Sequence, residues 1–290
     1  MALELMLMWV AVILYAVSSI GFIIGAVFKA SRMLFISMLV AGIGFAFHAV
    51  AIALRWIEVG HGPYLGFYEA VSAFVWFGLA GYFAIVLYRR SLNVVGVVAL
   101  PLSFIMLGFA MFVPKSPLPI TPSLASVWLI VHVVFATISY TALFISFALG
   151  IVYIVRERQL GDAESGPEPN EPAKQAKGLF SNLPKQHVLD NLIFKLVAVG
   201  FILWTIMIVT GAIWANEAWG RYWGWDSIET WSLIVWIVYA IVLHLRLTMG
   251  YTGKKFAWCA IIAMPVMLFS LVGVPLLYNS IHSAYLDFSG

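Results

Sequence analysis

Cysteine is almost absent from this chain of 290 residues, in which Cys259 is the single example. One cysteine cannot form a disulfide within a chain, and there is no Cys-x-x-Cys or Cys-x-x-Cys-His motif. The protein is therefore neither a thiol oxidoreductase nor a protein that attaches haem to itself through thioethers. Cys259 lies in an apolar run and is expected to be a small buried hydrophobic residue.

Charge is also scarce, since charged residues make up 10% of the chain and hydrophobic residues 63%. The mean hydropathy of +1.00 excludes an ordinary soluble domain and is typical of polytopic membrane proteins. A net charge of +3 offers no basic patch, so we expect no nucleic-acid partner and a lipid bilayer instead. The sequence also lacks a Ser/His/Asp set, a zinc signature and a phosphate-binding glycine loop.

Long apolar runs predict an all-α polytopic membrane protein with about eight transmembrane helices, because each crossing needs about 20 apolar residues. The predicted spans are 3–28, 33–55, 69–88, 92–113, 125–155, 189–215, 229–249 and 256–281. No basic segment precedes the first run, so we interpret that run as a spanning helix and not as a cleaved signal.

The basic residues orient these helices, because cytoplasmic loops of membrane proteins are enriched in Lys and Arg. With the N-terminus outside, twelve basic residues fall on the inner side and three, Arg55, Lys115 and Arg221, on the outer side. Both termini are therefore predicted to be external (periplasmic), in a multi-pass protein of the inner (cytoplasmic) membrane.

The polar stretch 156–188 divides the chain. Its glycines, prolines and mixed charges predict a flexible cytoplasmic loop. Residues 1–155 then contain transmembrane helices 1–5, and residues 189–290 contain helices 6–8 with an external tryptophan-rich loop at 216–228.

That external loop is the most unusual feature of the sequence, since residues 219–226 hold three tryptophans, a tyrosine, an arginine and an aspartate. An interfacial belt of Trp and Tyr is the simple alternative, but a belt spreads its rings over many helix ends. A loop this aromatic favours contact with a flat macrocycle with acidic edges, such as haem. Arg221 would suit a propionate.

Two of the six histidines are predicted to lie at the level of this loop. His132 is about two turns into the fifth span and His282 ends the eighth, both near the outer surface. Neutral imidazole is a common axial ligand of haem iron, so the pair suits a bis-histidine haem. The alternative is that the two histidines make unrelated hydrogen bonds between helices.

The other histidines lie at different depths. His244 is 15 residues into the seventh span, about 22 Å from the outer surface, where it would ligate a second haem or bond a neighbouring helix. His48 differs from His244 by about 12 Å in depth and is a poor partner for it. His61, in an outer loop, suits a structural role, and Arg246 is expected to reach the inner headgroups.

Several motifs carry a resemblance to a known family. Trp219–Trp231 reads WGRYWGWDSIETW, and other stretches read LHLR at 243–246, SVWLIVHV at 126–133, and RW at 55–56 followed by GHGP and YE. The chain resembles the CcsA/ResC family of System II cytochrome c biogenesis, within the superfamily of haem-handling proteins with a tryptophan-rich (WWD) loop.

The resemblance implies a subunit of a holocytochrome c synthase (haem lyase). Such a subunit carries haem b to the external face and presents it for thioether attachment to a CxxCH apocytochrome c. A ResB/CcsB-like membrane partner is implied to supply the ligand opposite His244. The residues implied to bind the cofactor are His132, His282, His244, Trp219, Trp223, Trp225, Asp226, Arg221, Trp231, His48 and His61, of which His132, His282 and His244 would be iron ligands.

This sequence departs from the family pattern at two places: Ser227-Ile228 stand for Pro-Lys, and Gly66-Phe67 stand where Asn is expected. Asp226 or Ser227 is expected to cap the seventh helix, with Glu229 favourable in its first turn. Two other functions are considered: a haem b electron-transfer subunit linked to quinol, and a haem exporter without ligation activity.

Overall fold

The protein is a bundle of long helices in a computed structural model that describes residues 2–113, 115, 121–164 and 183–282. The described residues contain no strand, and eight of their helical segments are long and apolar enough to cross a membrane. This confirms the predicted all-α membrane fold. The helices are α1 (Ala2–Val27), α2 (Ser31–Val59), α3 (Phe67–Tyr88), α4 (Gly96–Ala110), α5 (Val127–Glu164), α6 (Gln186–Trp219), α7 (Ser227–Leu247), α8 (Lys254–Leu268) and α9 (Val274–Leu277).

Helix α5 is longer than the hydropathy pattern suggests. It continues to Glu164 instead of ending at 155. Residues 156–160 are Arg, Glu, Arg, Gln and Leu, which favour helix whether or not they lie in lipid, and no proline occurs until Pro167. The central part of the predicted flexible loop, 165–182, lies outside the described residues.

The tryptophan-rich loop is shorter than predicted, because Trp219 is the last residue of α6. Gly220 ends that helix with φ 71°, and its N–H donates to the carbonyl of Asn216. At the other end Asp226 caps α7, and its side chain with that of Glu229 forms a capping box. The expectation that Asp226 caps this helix is confirmed, so the absence of the family's proline does not disturb it.

Helix α5 lies at the centre of the bundle and packs along α6, with α3 and α8 on its other sides, while α1 packs along α2 and α4. Aromatic rings link the two halves: Phe74 of α3 meets Tyr140 of α5 edge-on at 5.4 Å, and Tyr140 meets Trp204 of α6 at 5.0 Å. Trp204 in turn donates to the carbonyl of Ser232 in α7. These contacts join α3, α5, α6 and α7 within the bundle.

Arg246 does not reach out to headgroups as expected. Its guanidinium contacts both carboxylate oxygens of Asp190, at 2.9 and 2.8 Å, and lies between the rings of Phe194 and Phe256. Asp190 also accepts the N–H of Gly253, so one carboxylate joins α6, α7 and the start of α8. Hydropathy could not reveal this, because the pair is separated by 56 residues.

We expect Asp190→Ala to be strongly destabilising, because it leaves the Arg246 guanidinium mostly buried without its counter-charge. Breaking such a pair costs about 3–5 kcal/mol. Thermal unfolding of the purified protein in detergent measures the effect. Asn191→Ala is the matched control, since its side chain makes only a 3.4 Å contact with the same guanidinium. Equal melting temperatures for the two variants would contradict the role of this ion pair.

Candidate functional site

A cavity of about 240 Å³ lies where α5, α6 and α7 meet the segment that follows α9. It is at the end of the bundle that carries the α6–α7 loop, and its lining is mostly aromatic and aliphatic. His132 and His282 both contribute to this lining, as do Tyr222 and Trp223 of the loop. The structure therefore brings together the two histidines that were predicted to lie at the level of the loop.

His132 is held against α6. Its Nδ1–H donates to the main-chain carbonyl of Met207 at 2.8 Å, since a carbonyl can only accept. Gly211 makes this approach feasible, because a Cβ at that position would lie 2.6 Å from His132 Nδ1. In the described part of the chain Nε2 has no hydrogen-bond partner, so its lone pair is available for a ligand.

His282 is held by the tryptophan-rich loop itself. Its Nδ1 lies 3.0 Å from Oδ2 of Asp226, and its ring packs edge-on against Trp219 at 4.8 Å and beside Trp214 at 5.8 Å. Trp214 is fixed in turn by donating to the carbonyl of Ser123. No described residue bonds Nε2 of His282, so both histidines are anchored at Nδ1 and leave Nε2 open.

Asp226 joins the loop to the end of the chain's last described segment. Besides His282, it accepts hydrogen bonds from Ser280 Oγ at 2.5 Å and from the N–H of Ile281 at 3.0 Å. Burial would raise the pKa of Asp226, but the bonds from His282, Ser280 and Ile281 outweigh it and hold the pKa well below its usual range. The stability from these bonds is therefore present above the ordinary Asp pKa and is lost as the pH falls below it.

Glu229 shapes the tip of the loop. One of its carboxylate oxygens accepts the N–H of Gly224 at 2.7 Å and that of Asp226 at 3.2 Å. The intervening Trp225 is forced to φ 58°, a left-handed conformation that is rare for a bulky residue, and its side chain is 70% exposed. Trp223 meets Trp225 edge-on at 5.8 Å, so one indole faces the cavity and the other lies outside it.

Arg221 lies across the same loop. Its guanidinium covers the Cα of Gly224 so closely that a Cβ there would fall 0.8 Å from Nη1. Only glycine at 224 leaves room for this arrangement. Arg221 is half-buried in the loop and directly precedes the cavity-lining residues Tyr222 and Trp223 in sequence.

Four of the predicted residues, Trp231, His48, His61 and His244, lie away from this cavity and from the loop beside it. Trp231 packs on Phe269 at 4.6 Å and is not part of its lining. His48 is fully buried between α1 and α3, with Nδ1 3.2 Å from the Tyr15 hydroxyl and Nε2 2.9 Å from that of Ser72. His61 is buried in the loop before α3.

His61 and His244 have contrasting surroundings. Nδ1 of His61 contacts the carbonyl of Gly62 at 2.9 Å and lies 3.7 Å from the Glu69 carboxylate. His244 is exposed on α7, near the end opposite the cavity, where it lies 3.4 Å from the Thr248 hydroxyl. The structure thus places His132, His282 and Trp223 in the cavity lining, with Trp219 and Asp226 in contact with His282. Arg221 and Trp225 belong to the same loop but do not line the cavity, and His244, His48, His61 and Trp231 lie elsewhere.

Sequence reasoning missed several residues that shape the cavity. Asp-x-x-Glu at a helix start is typical of a capping box, so the sequence did indicate a helix-capping role for Glu229. Its hydrogen bond from the loop N–H of Gly224 was not predicted. Trp214 and Gly211 carry no local signal, because one contacts His282 and the other contacts His132 across long sequence distances.

Comparison with known proteins gives a consistent result. A family model described as cytochrome c assembly protein matches residues 64–282. The chain is 34% identical over 282 residues to the "Cytochrome c biogenesis protein CcsA" of Guillardia theta, covering 92% of this chain and 91% of that protein. It is 35% identical over 274 residues to the protein of the same name from Synechococcus sp. (strain CC9605), covering 89% of each.

A solved structure has the same fold. The chain matches the "Cytochrome c Heme Lyase CcmF" with a TM-score of 0.64 over 99% of its own length, at 15% identity. It spans about half of that protein, 49% of its length, and the likeness concerns the fold. The family model covers both cavity histidines, and together with the CcsA relatives it shows that this multi-pass membrane protein belongs to the CcsA family of cytochrome c assembly proteins.

Proposed function

We propose that this chain binds haem b between His132 and His282 and presents it, on the outer face of the inner membrane, for covalent attachment to a CxxCH apocytochrome c. One observation carries the proposal: two imidazoles line one cavity, each fixed through Nδ1 and each with Nε2 open. An outer-shell acceptor on Nδ1 selects the tautomer whose Nε2 binds iron.

The surroundings suit the same ligand. Aromatic side chains of the α6–α7 loop line the cavity, and Arg221 provides a cation for a propionate. The cavity is smaller than the roughly 300–1,000 Å³ typical of a site that encloses its ligand. This supports a macrocycle that is only partly covered, with one edge left accessible beside Tyr222 and Trp225.

The reaction served would add each CxxCH thiol across a haem vinyl group. A carbon–sulfur bond forms, the thiol proton goes to the other vinyl carbon, and the step involves no net oxidation or reduction. The chain's part is to orient and hold: His132 and His282 would hold the iron, and the aromatic loop would hold the macrocycle. The activity of a haem lyase subunit follows from this positioning.

His244 supports a partner of the ResB/CcsB type. It is exposed on the outside of the bundle, and the structure offers no second histidine beside it among the described residues. A histidine in this position needs another chain to complete an iron site. We propose that this site, formed between transmembrane helices of the two proteins, receives haem on its way to the cavity. In the same proposal, both termini and the cavity face outward.

The experiment is to purify the protein from haem-replete membranes and to record reduced-minus-oxidised and pyridine haemochrome spectra. We expect His132→Ala with His282→Ala to remove a b-type signal, with each single change weakening it because one of the two proposed iron ligands is lost. His187→Ala is the matched control, because that histidine is exposed in the first turn of α6, away from the cavity.

The outcomes separate the candidate functions. Signal loss in the double variant, with lost thioether attachment to a co-expressed apocytochrome, agrees with a synthase subunit. Signal loss without any effect on attachment would contradict the proposal. A signal retained in the double variant but lost in His244→Ala would point to an electron-transfer subunit instead.

A further inference from the structure

A second opening lies between α2 and α3 and shares no lining residue with the cavity of His132 and His282. This groove has a volume of about 980 Å³. It exists because α2 packs along α1 and touches α3 only sparsely. Its floor includes Gly42, where an added Cβ would meet nothing within 4 Å.

The walls of the groove are apolar for most of its length. Phe35, Leu39 and Phe47 of α2 face Phe83 and Leu87 of α3. Along α2 the groove runs from residue 35 to residue 50, about 22 Å by helical rise, which is more than half of a hydrocarbon core of about 30 Å. An acyl chain that starts at headgroup level can follow it inward.

One end of the groove is cationic. Arg90 and Asn93 line it where α3 finishes, and Arg89 precedes them. Lys29 lies in the α1–α2 turn and Arg32 in the first turn of α2, at this same end of the bundle. Between residues 28 and 95 the acidic side chains are those of Glu58 and Glu69, and both lie at the opposite ends of α2 and α3.

The described residues supply no counter-charge to the arginines of this end. In the described part of the chain, neither Arg89 nor Arg90 makes a side-chain hydrogen bond or ion pair, and both are exposed. A guanidinium pair beside an amide matches a phosphate, which can accept two parallel hydrogen bonds from one arginine. An apolar channel that ends in these basic side chains matches a molecule that has both an apolar chain and a phosphate.

We propose that the α2–α3 groove is a binding site for an acidic phospholipid, with an acyl chain between the helices and the phosphate on Arg90 and Asn93, which line its end, and Arg89 next to them in the chain. Basic pockets between transmembrane helices recognise anionic headgroups in this way. A transmembrane helix of another protein would fill the apolar part but leave the arginine pair unmatched, so the charge favours the lipid.

The test is native mass spectrometry of the protein reconstituted with equal amounts of phosphatidylglycerol and phosphatidylcholine. We expect preferential retention of phosphatidylglycerol, reduced roughly fivefold for each of Arg89→Gln and Arg90→Gln. Gly42→Leu fills the floor of the groove without changing charge and is expected to remove retention of the same lipid. Lys254→Gln with Lys255→Gln, at the same end of the bundle, is the matched control and is expected to behave as wild type.

Three results would overturn the proposal. Unchanged preference in the Arg89→Gln, Arg90→Gln variant would show that the pair does not hold the headgroup. Loss with those changes but not with Gly42→Leu would mean attraction to the charged surface, not binding in the groove. No preference in wild type would leave the groove to another occupant. Monodisperse elution of every variant verifies folding, and because no cavity residue is changed, haem binding stays a separate readout.

Discussion

Gly211→Ala is expected to lower haem occupancy about 10- to 100-fold while leaving the protein folded. The new Cβ would lie 2.6 Å from Nδ1 and 2.9 Å from Cε1 of His132, which is closer than such atoms approach. The imidazole must move and lose its hydrogen bond to the Met207 carbonyl. The helix itself gains, since alanine is favoured over glycine in a helix by about 0.5–1 kcal/mol. The haem-to-protein ratio from pyridine haemochrome spectra measures the effect.

The matched control is Gly108→Ala in α4, where a Cβ would meet nothing within 4 Å. It makes the same chemical change in another helix, away from the cavity, and is expected to keep wild-type haem. If Gly211→Ala also keeps full occupancy, then the fixed position of His132 is not what holds the ligand. A drop in melting temperature would show a packing defect instead of a displaced ligand.

Asp226→Ala is expected to reduce holocytochrome c formation by at least about 100-fold, because this carboxylate holds His282, Ser280 and Ile281 and also caps α7. Loss of the outer-shell acceptor alone costs roughly 10- to 100-fold, and loss of the N-cap about 0.5–2 kcal/mol of stability. The amount of haem covalently bound to a co-expressed CxxCH cytochrome measures the activity.

Asp226→Asn separates the two effects. Asparagine caps helices as well as aspartate does, so the melting temperature is expected to stay near that of wild type. The neutral amide is a weaker acceptor for His282, so holocytochrome formation is still expected to fall about tenfold or more. Wild-type activity in Asp226→Asn would show that the charge on this residue has no part in positioning His282.

The sequence was sufficient to predict the helices and the depth at which the site lies in the membrane. Hydropathy sets where each span crosses, and counting along a span gives depth, so His132, His282 and the aromatic loop could be predicted to share one level. The structure brings those groups to one cavity. The same reasoning predicted different depths for His244 and His48, but it did not reveal that His48 is enclosed by Tyr15 and Ser72.

Depth along a helix does not determine which neighbour a side chain meets. The rotation of each helix depends on how all of them pack, and that is a property of distant pairs. Arg246 was expected among headgroups but meets Asp190, 56 residues away. Gly211 and Trp214 looked like ordinary residues of an apolar span, and only the packing of α6 against α5 and the end of the chain gives them a role.

The backbone at Trp225 has a consequence for protein engineering. A bulky residue held in the left-handed region costs about 1–3 kcal/mol, whereas glycine adopts the same conformation without strain. Any redesign that scores folding stability alone would therefore change Trp225 to glycine among its first substitutions. It would relieve the backbone strain and discard the exposed indole of the loop whose N–H groups bond Glu229. On the proposed function, a thermostabilised version of the chain and a haem-presenting one call for different residues at this position.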